Sequence, residues 1–430
     1  MTFSDETNEA RPNGIQRLFT LKTVMLMAAL TAVVSLAVME PIVTVDSNSY
    51  MGEWHFFRQG LVSLVRTPVY PALLALCSLA GDMPTVIWTV AILQWLLFIA
   101  VMPLVWDTLR MLGCGRIIRT ILIISLVSLC EELWIFNNAL NTESLSITGL
   151  FAFIWCLTSL TCRPRMKVMV FAIILTALLV FLRPALVYLL PVCLLFFCIK
   201  AFGKKERKIW ATGIGGMIVT SALYLAYCGA VYRQTGVFTP TVVSVFNSWC
   251  SARGTGMIDP DVIPDDEAGI RLKEMMREND KTFVPDMTNE MSFAASIEYN
   301  TYRFSYGGEN IDRMHRIITD SRKAHPLKYV KAVFSRFKAA FIQIFGQFNL
   351  GFGYTFLFLF LVVTVYFWVR RRRMPWLMLF IWTLAVSHMV IPLINAMNSW
   401  DRLSLPAWTF FIAMIGCCAS WVKWEGLKME

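Results

Sequence analysis

The sequence predicts an all-α polytopic membrane protein: about ten transmembrane helices, juxtamembrane helices in the first outer loop, and one large outer loop. Three observations predict it. The 430 residues are 57% hydrophobic and only 16% charged, with a mean hydropathy of +0.58, whereas soluble domains carry about 25% charged residues. Apolar runs of near-span length recur along the chain. The basic clusters between those runs all fall on one side of the implied membrane. This composition excludes a soluble globular, a disordered and a fibrous protein. It also argues against a β-barrel, whose alternating strands keep mean hydropathy modest.

The apolar runs cover residues 23–45, 85–108, 119–136, 145–160, 168–182, 185–199, 210–231, 354–369, 375–393 and 405–422. Several are shorter than the roughly 20 residues a straight span needs. The charges test the assignment. With the N-terminus inside, near Arg11, Arg17 and Lys22, the even-numbered connections hold Arg110 and Arg116, Arg163 to Lys167, Lys200 to Lys208, and Arg370 to Arg373. The tail carries Lys423 and Lys428. Both termini are therefore expected in the cytoplasm. The acids Asp46, Glu53, Asp82, Glu131, Glu132 and Glu143 gather on the opposite side. The expected organisation is a cytoplasmic segment over 1–22, spans 1–7 over 23–231 with the first outer loop at 46–84, an outer loop over 232–353, spans 8–10 over 354–422, and a tail over 423–430.

The net charge of +10 reads as membrane orientation, not nucleic-acid binding. Eleven cysteines lie mostly inside apolar runs, and no CxxC or HExxH occurs, so neither zinc nor a disulfide framework is argued. The first apolar run has no cleavage-site pattern and reads as a retained span. The absence of any N-x-[ST] sequon leans towards a bacterial inner membrane.

The first outer loop is the most informative stretch. It reads V-D-S-N-S-Y-M-G-E-W-H-F-F-R-Q-G and continues into R-T-P-V-Y-P-A-L-L-A-L. On a helix starting there, Asp46, Tyr50 and Glu53 share one face. Asp46 is either a general base at the membrane boundary or a helix cap. His55 either meets substrate or packs at the interface. Pro68 and Pro71 bracket Tyr70 and favour a short helix start, with the run over 72–79 read as juxtamembrane.

Other outer-side groups are candidates for the same place. Glu143 opens the fourth span in N-T-E-S-L, Arg183-Pro184 forms an outer turn, and Asp401-Arg402 precedes the last span. An arginine at that depth needs a partner. A phosphate gripped bidentately is one; a structural ion pair or snorkelling to headgroups is the other. His388, inside the ninth span, reads as a hydrogen-bonded core histidine. In the long loop, residues 259–280 are expected to be partly helical. Residues 326–348 alternate basic and apolar side chains, which suits an interfacial helix on the outer leaflet or a helix packed within the loop's own fold.

The order of these motifs resembles the GT-C fold of integral-membrane glycosyltransferases that use polyprenyl-phosphate sugars. The resemblance is carried by the acid after the first span, R-T-P-V-Y-P-A-L-L-A-L, T-E-S-L, L-R-P-A-L and D-R-L-S-L-P. Bacterial members modify lipopolysaccharide, O-antigen or other surface glycans. The resemblance implies a catalytic Asp46 acting as general base, with Glu53 beside it. It implies Arg183 and Arg402 at the carrier phosphate. Tyr50, His55, Arg66, Tyr70 and Glu143 complete the expected substrate and carrier site. It implies a polyprenyl-phosphate-linked donor, a glycan or lipid-linked acceptor, surrounding membrane lipids, and neither cofactor nor obligatory metal. Two departures stand out: Ser47, not a second acid, follows Asp46, and Leu403, not Tyr, follows Arg402. The competing class is a polytopic transporter or flippase for a lipid-linked sugar, which would favour ionisable groups near the midplane; a non-catalytic assembly protein is the third.

Overall fold

Helix accounts for nearly all the regular structure, as apolar segments that must satisfy their own backbone groups require. The computed structural model describes residues 19–58, 64–203, 206–282, 289–305, 310–334, 348–371, 376–395 and 405–426. The apolar runs of the first half form α1 (Leu21–Val38), α4 (Met83–Met111), α5 (Arg116–Leu129), α7 (Thr142–Cys162), α8 (Met166–Leu182), α9 (Leu189–Ala201) and α10 (Arg207–Thr235). Between α1 and α4 lie α2 (Val45–Arg58) and α3 (Val69–Cys77), and α6 (Glu131–Asn138) follows α5. After the long loop come α15 (Phe348–Arg371), α16 (Trp376–Asn395) and α17 (Trp408–Gly426).

Five segments among the described residues are long and apolar enough to cross a membrane: Leu21–Val38, Met83–Met111, Thr142–Cys162, Pro184–Ala201 and Arg207–Thr235. Shorter apolar helices cover Met166–Leu182, Leu357–Tyr366, Trp376–Ile391 and Leu405–Cys418. Many of their outward side chains are large and apolar, including Leu26, Val33, Leu96, Ile174, Leu195, Val219 and Leu223. Helices that expose such surface need a hydrocarbon solvent. Where α10 crosses α8, a side-chain carbon at Gly216 would collide with Ile173, so the two backbones meet closely through small residues.

Two expected spans end differently. The run over 23–45 stops being helical at Met39, because Pro41 lacks a donor and disfavours helix at Glu40. The chain then runs extended, and Ile42 pairs with the 138–140 segment through Ile42 N–Asn138 O at 2.9 Å and Leu140 N–Ile42 O at 3.0 Å. The run over 119–136 breaks at Cys130, where φ/ψ is −90/91. Glu131 and Glu132 start a new helix there, as acids in a first turn favour. The Trp134 indole N–H donates to Val127 O at 2.8 Å, covering a carbonyl the break exposes.

The long loop folds as a helical unit of its own. It comprises α11 (Val243–Gly254), α12 (Glu267–Thr282), α13 (Asn289–Arg303), α14 (Ile311–Ala324) and a helix over 326–334. Trp249, Leu272, Met276, Ala295, Tyr299, Tyr302, Met314 and Ile318 form its core. Arg253 lies inside, with Nε 2.7 Å from Glu298 Oε2 and Nη2 2.9 Å from both Glu298 Oε1 and Asp280 Oδ1. Asn279 donates to the same Glu298 carboxylate at 2.8 Å. The expected helix within 259–280 is present as α12, preceded by a 3-10 turn at Pro260–Val262.

Glu298→Ala leaves the buried Arg253 with the partly exposed Asp280 as its remaining acid partner and strips Asn279 of its acceptor. The substitution is therefore expected to destabilise this helical unit, by at most the about 3–5 kcal/mol that a fully broken buried pair costs. The check is the thermal midpoint of the purified protein together with proteolysis around α12 and α13.

Candidate functional site

The site grows from the start of α2. Thr44 and Ser47 cap this helix reciprocally: Thr44 N donates to Ser47 Oγ at 2.8 Å, and Ser47 N donates to Thr44 Oγ1 at 3.3 Å. That is a capping box with a serine in the acid's usual place. The cap is therefore Thr44, and Asp46 stands one position inside the first turn with its carboxylate pointing elsewhere. The Thr44 hydroxyl also donates to Asn141 Oδ1 at 3.1 Å, which fixes the start of α2 against the start of α7.

Arg66 meets Asp46. Its Nη2 lies 2.7 Å from Asp46 Oδ1, its Nε donates to Ser49 Oγ at 2.7 Å, and its Nη1 donates to Tyr50 Oη at 3.3 Å. The guanidinium carbon lies 4.3 Å from the centroid of the Tyr50 ring. All three guanidinium nitrogens thus address one face of α2. The Tyr50 ring meets the Tyr70 ring edge-on, with centroids 4.9 Å apart. Burial holds the Tyr50 phenol above its ordinary range; the Arg66 charge opposes that shift, and the Glu143 carboxylate adds to it.

The segment carrying Arg66 is itself held at several points. Val242 N donates to Leu64 O at 2.9 Å, and Leu64 and Val65 pack on the core of the long-loop unit. The Tyr227 hydroxyl of α10 donates to Arg66 O at 3.4 Å, and the Thr67 hydroxyl donates to Leu182 O at 3.2 Å. Behind the tyrosines, Tyr70 Oη donates to Gln94 Oε1 at 3.2 Å. The Gln94 amide then donates to the carbonyls of Asn137 and Ala139 at 3.0 and 2.9 Å. Asn138 accepts from the Trp95 indole at 2.9 Å and donates to Ser35 Oγ at 2.9 Å. One buried polar seam joins α1, α3, α4 and the entry to α7.

Glu143 and Arg183 lie deeper. Arg183 Nη2 is 3.5 Å from Glu143 Oε1, with side chains 8% and 3% exposed. The structure thus gives Arg183 an acid partner. Its Nη1, the Asn141 Nδ2 and the Trp54 Nε1 are buried donors with no hydrogen-bond acceptor among the described residues. Buried donors of this kind ask for a partner.

Among the expected site residues, Asp46, Tyr50, Arg66 and Tyr70 are in direct contact, with Glu143 close enough to act on both tyrosines. Glu53 shares α2 with Asp46 and Tyr50, is buried, and lies within electrostatic range of Tyr227. His55 is exposed and packs edge-on against Trp54, away from the Asp46 face. Arg402 lies outside the described residues. His388 sits in the core, its Nδ1 3.1 Å from Tyr188 Oη. Ser49, Gln94 and Asn138 were not anticipated. The available signal for Gln94 was a lone polar residue in the apolar run V-A-I-L-Q-W-L-L.

No protein-family model matches the chain, and neither a curated protein nor a solved structure is significantly similar to it. Fold and candidate spans define the class: an all-α, multi-pass membrane protein.

Gln94→Leu keeps the volume and removes the seam's central amide. It should cost about 1–3 kcal/mol for each buried group left unpaired, the Tyr70 hydroxyl foremost. A lowered thermal midpoint in detergent, with Gln94→Glu compared alongside, checks this.

Proposed function

We propose that this protein is an extracytoplasmic glycosyltransferase that moves a sugar from a polyprenyl-phosphate donor to a hydroxyl of a surface glycan or lipid-linked acceptor. One observation carries the assignment of the base. Of the acids gathered here, Glu53 and Glu143 are buried, while the Asp46 side chain is 29% exposed and oriented by Arg66. A base must reach the proton it removes, and Asp46 is the acid an incoming acceptor can approach.

In this reading the acceptor oxygen attacks the anomeric carbon from the face opposite the phosphate. Its proton passes to Asp46, the bond between the anomeric carbon and the phosphate oxygen breaks, and the polyprenyl phosphate departs with both electrons. Inversion at the anomeric carbon follows. Arg66 supports the carboxylate, since its nitrogens are already engaged with α2. Arg183, with an open Nη1, and Arg402 serve the carrier phosphate, where a planar guanidinium stabilises the leaving charge. The arrangement needs ten spans with both termini in the cytoplasm. The outer unit and the site then share the extracytoplasmic side of the inner membrane.

Asp46→Asn tests the chemistry. The cap is Thr44, so this substitution leaves the helix start intact. Transfer should fall by about 10²–10⁴-fold, the usual worth of a general base. The measurement is transfer by purified protein from a panel of polyprenyl-phosphate sugars, with thermal stability followed in parallel. Near-normal transfer would remove Asp46 from the mechanism.

The topology is tested separately. Reporter fusions after Arg165 and after Asp280 should report cytoplasm and outside respectively. The same side for both would overturn the span count and the location of the site.

A further inference from the structure

Helix 326–334 has two different faces. Tyr329 and Ala332, three residues apart, pack on the core of the outer unit. The helix start is pinned by His325 Nε2, 2.9 Å from Asp259 Oδ2, and the Arg322 guanidinium lies over the Tyr329 ring at 5.1 Å. The opposite face is bare. Leu327, Val330 and Phe334 follow i, i+3, i+7 spacing and share one side of the helix. They are 76%, 48% and 70% exposed. Lys331 and Lys328, both exposed, border this stripe.

We infer that this stripe docks on the anionic lipid surface of the membrane from which the outer unit projects, with Leu327, Val330 and Phe334 entering the boundary between headgroups and acyl chains. The inference rests on the topology proposed above. Three large apolar side chains in a row are unusual on a surface that meets only water. An apolar stripe edged by lysine is the pattern of a helix lying in the interface plane. The charge complements acidic headgroups, and each lysine near such a surface strengthens attachment. Pairing of the stripe with a second copy would bring like charges together. Continuity points the same way. The apolar helix α15 begins at Phe348, fourteen residues after Phe334, and a chain of that length spans at most about 50 Å. Helix 326–334 then fastens the outer unit to the bilayer by the face that its own core leaves uncovered.

The test uses the full chain in nanodiscs of phosphatidylcholine, alone or mixed with phosphatidylglycerol, with lipids brominated in the acyl chains. An environment-sensitive fluorescent amino acid is placed at Val330 in one sample and at Leu359, on the exposed side of α15, in another. Both probes should be quenched in the mixed discs. Quenching at Val330 alone should weaken in phosphatidylcholine discs and at high salt. Lys328→Glu combined with Lys331→Glu should weaken docking roughly tenfold or more. A quenched Leu359 probe beside an unquenched Val330 probe overturns the inference and leaves the topology standing. A Val330 probe shielded from water yet untouched by bromine means that protein covers the stripe, which also overturns it. If neither probe is quenched, the topology falls, and this inference with it.

Discussion

The Arg66 guanidinium is the interaction on which the candidate site depends. It joins two segments that lie 16 to 20 residues apart in sequence, the first two turns of α2 and the approach to α3. With Nη2 on Asp46, Nε on Ser49 and Nη1 on Tyr50, it satisfies three groups of one helix face with one side chain. A planar, always-charged fork presents these donors from three separate nitrogens in one plane, whereas an ammonium presents all of its donors from one. The result is a carboxylate with a fixed direction at a partly exposed position. Two deeper acids remain enclosed.

The anchoring of Arg66 extends the constraint to the rest of the molecule. Leu64 and Val65 pack on the core of the long-loop unit, Thr67 is tied to the end of α8, and Tyr227 of α10 holds the Arg66 carbonyl. Through Leu64 and Val65 the helical unit of the long loop packs against the segment that carries Arg66. On the membrane side, the Tyr70–Gln94 bond and the pairing of Ile42 with the 138–140 segment brace α2 and α3 from beneath. Polar groups inside an apolar bundle are costly unless paired, so the seam specifies one arrangement of these helices.

Much of this was legible from residues. Long apolar runs gave the helices α4, α7 and α10 to within a few positions, because in hydrocarbon hydropathy and helix formation coincide. The i, i+4 relation between Asp46 and Tyr50 needed only the geometry of a helix. Other features required knowledge of packing. Thr44 competed with Asp46 as the cap of α2, and the contact with Asn141 was invisible in the local sequence. The break at Cys130 fell within a run that hydropathy reads as continuous. Arg66 was expected among the substrate and carrier residues that the resemblance implies; its bonding to Asp46, Ser49 and Tyr50 depends on a loop closure that no local pattern encodes.

Bonded in this way, Arg66 and Asp46 should work as one unit. A double-mutant cycle of Asp46→Asn and Arg66→Gln, read as thermal unfolding of the purified protein, tests it most directly. Residues in direct contact typically couple by about 0.5–3 kcal/mol. Coupling in that range is expected, so that Arg66→Gln costs clearly less when Asp46 is already Asn. Additive effects of the two substitutions would contradict it.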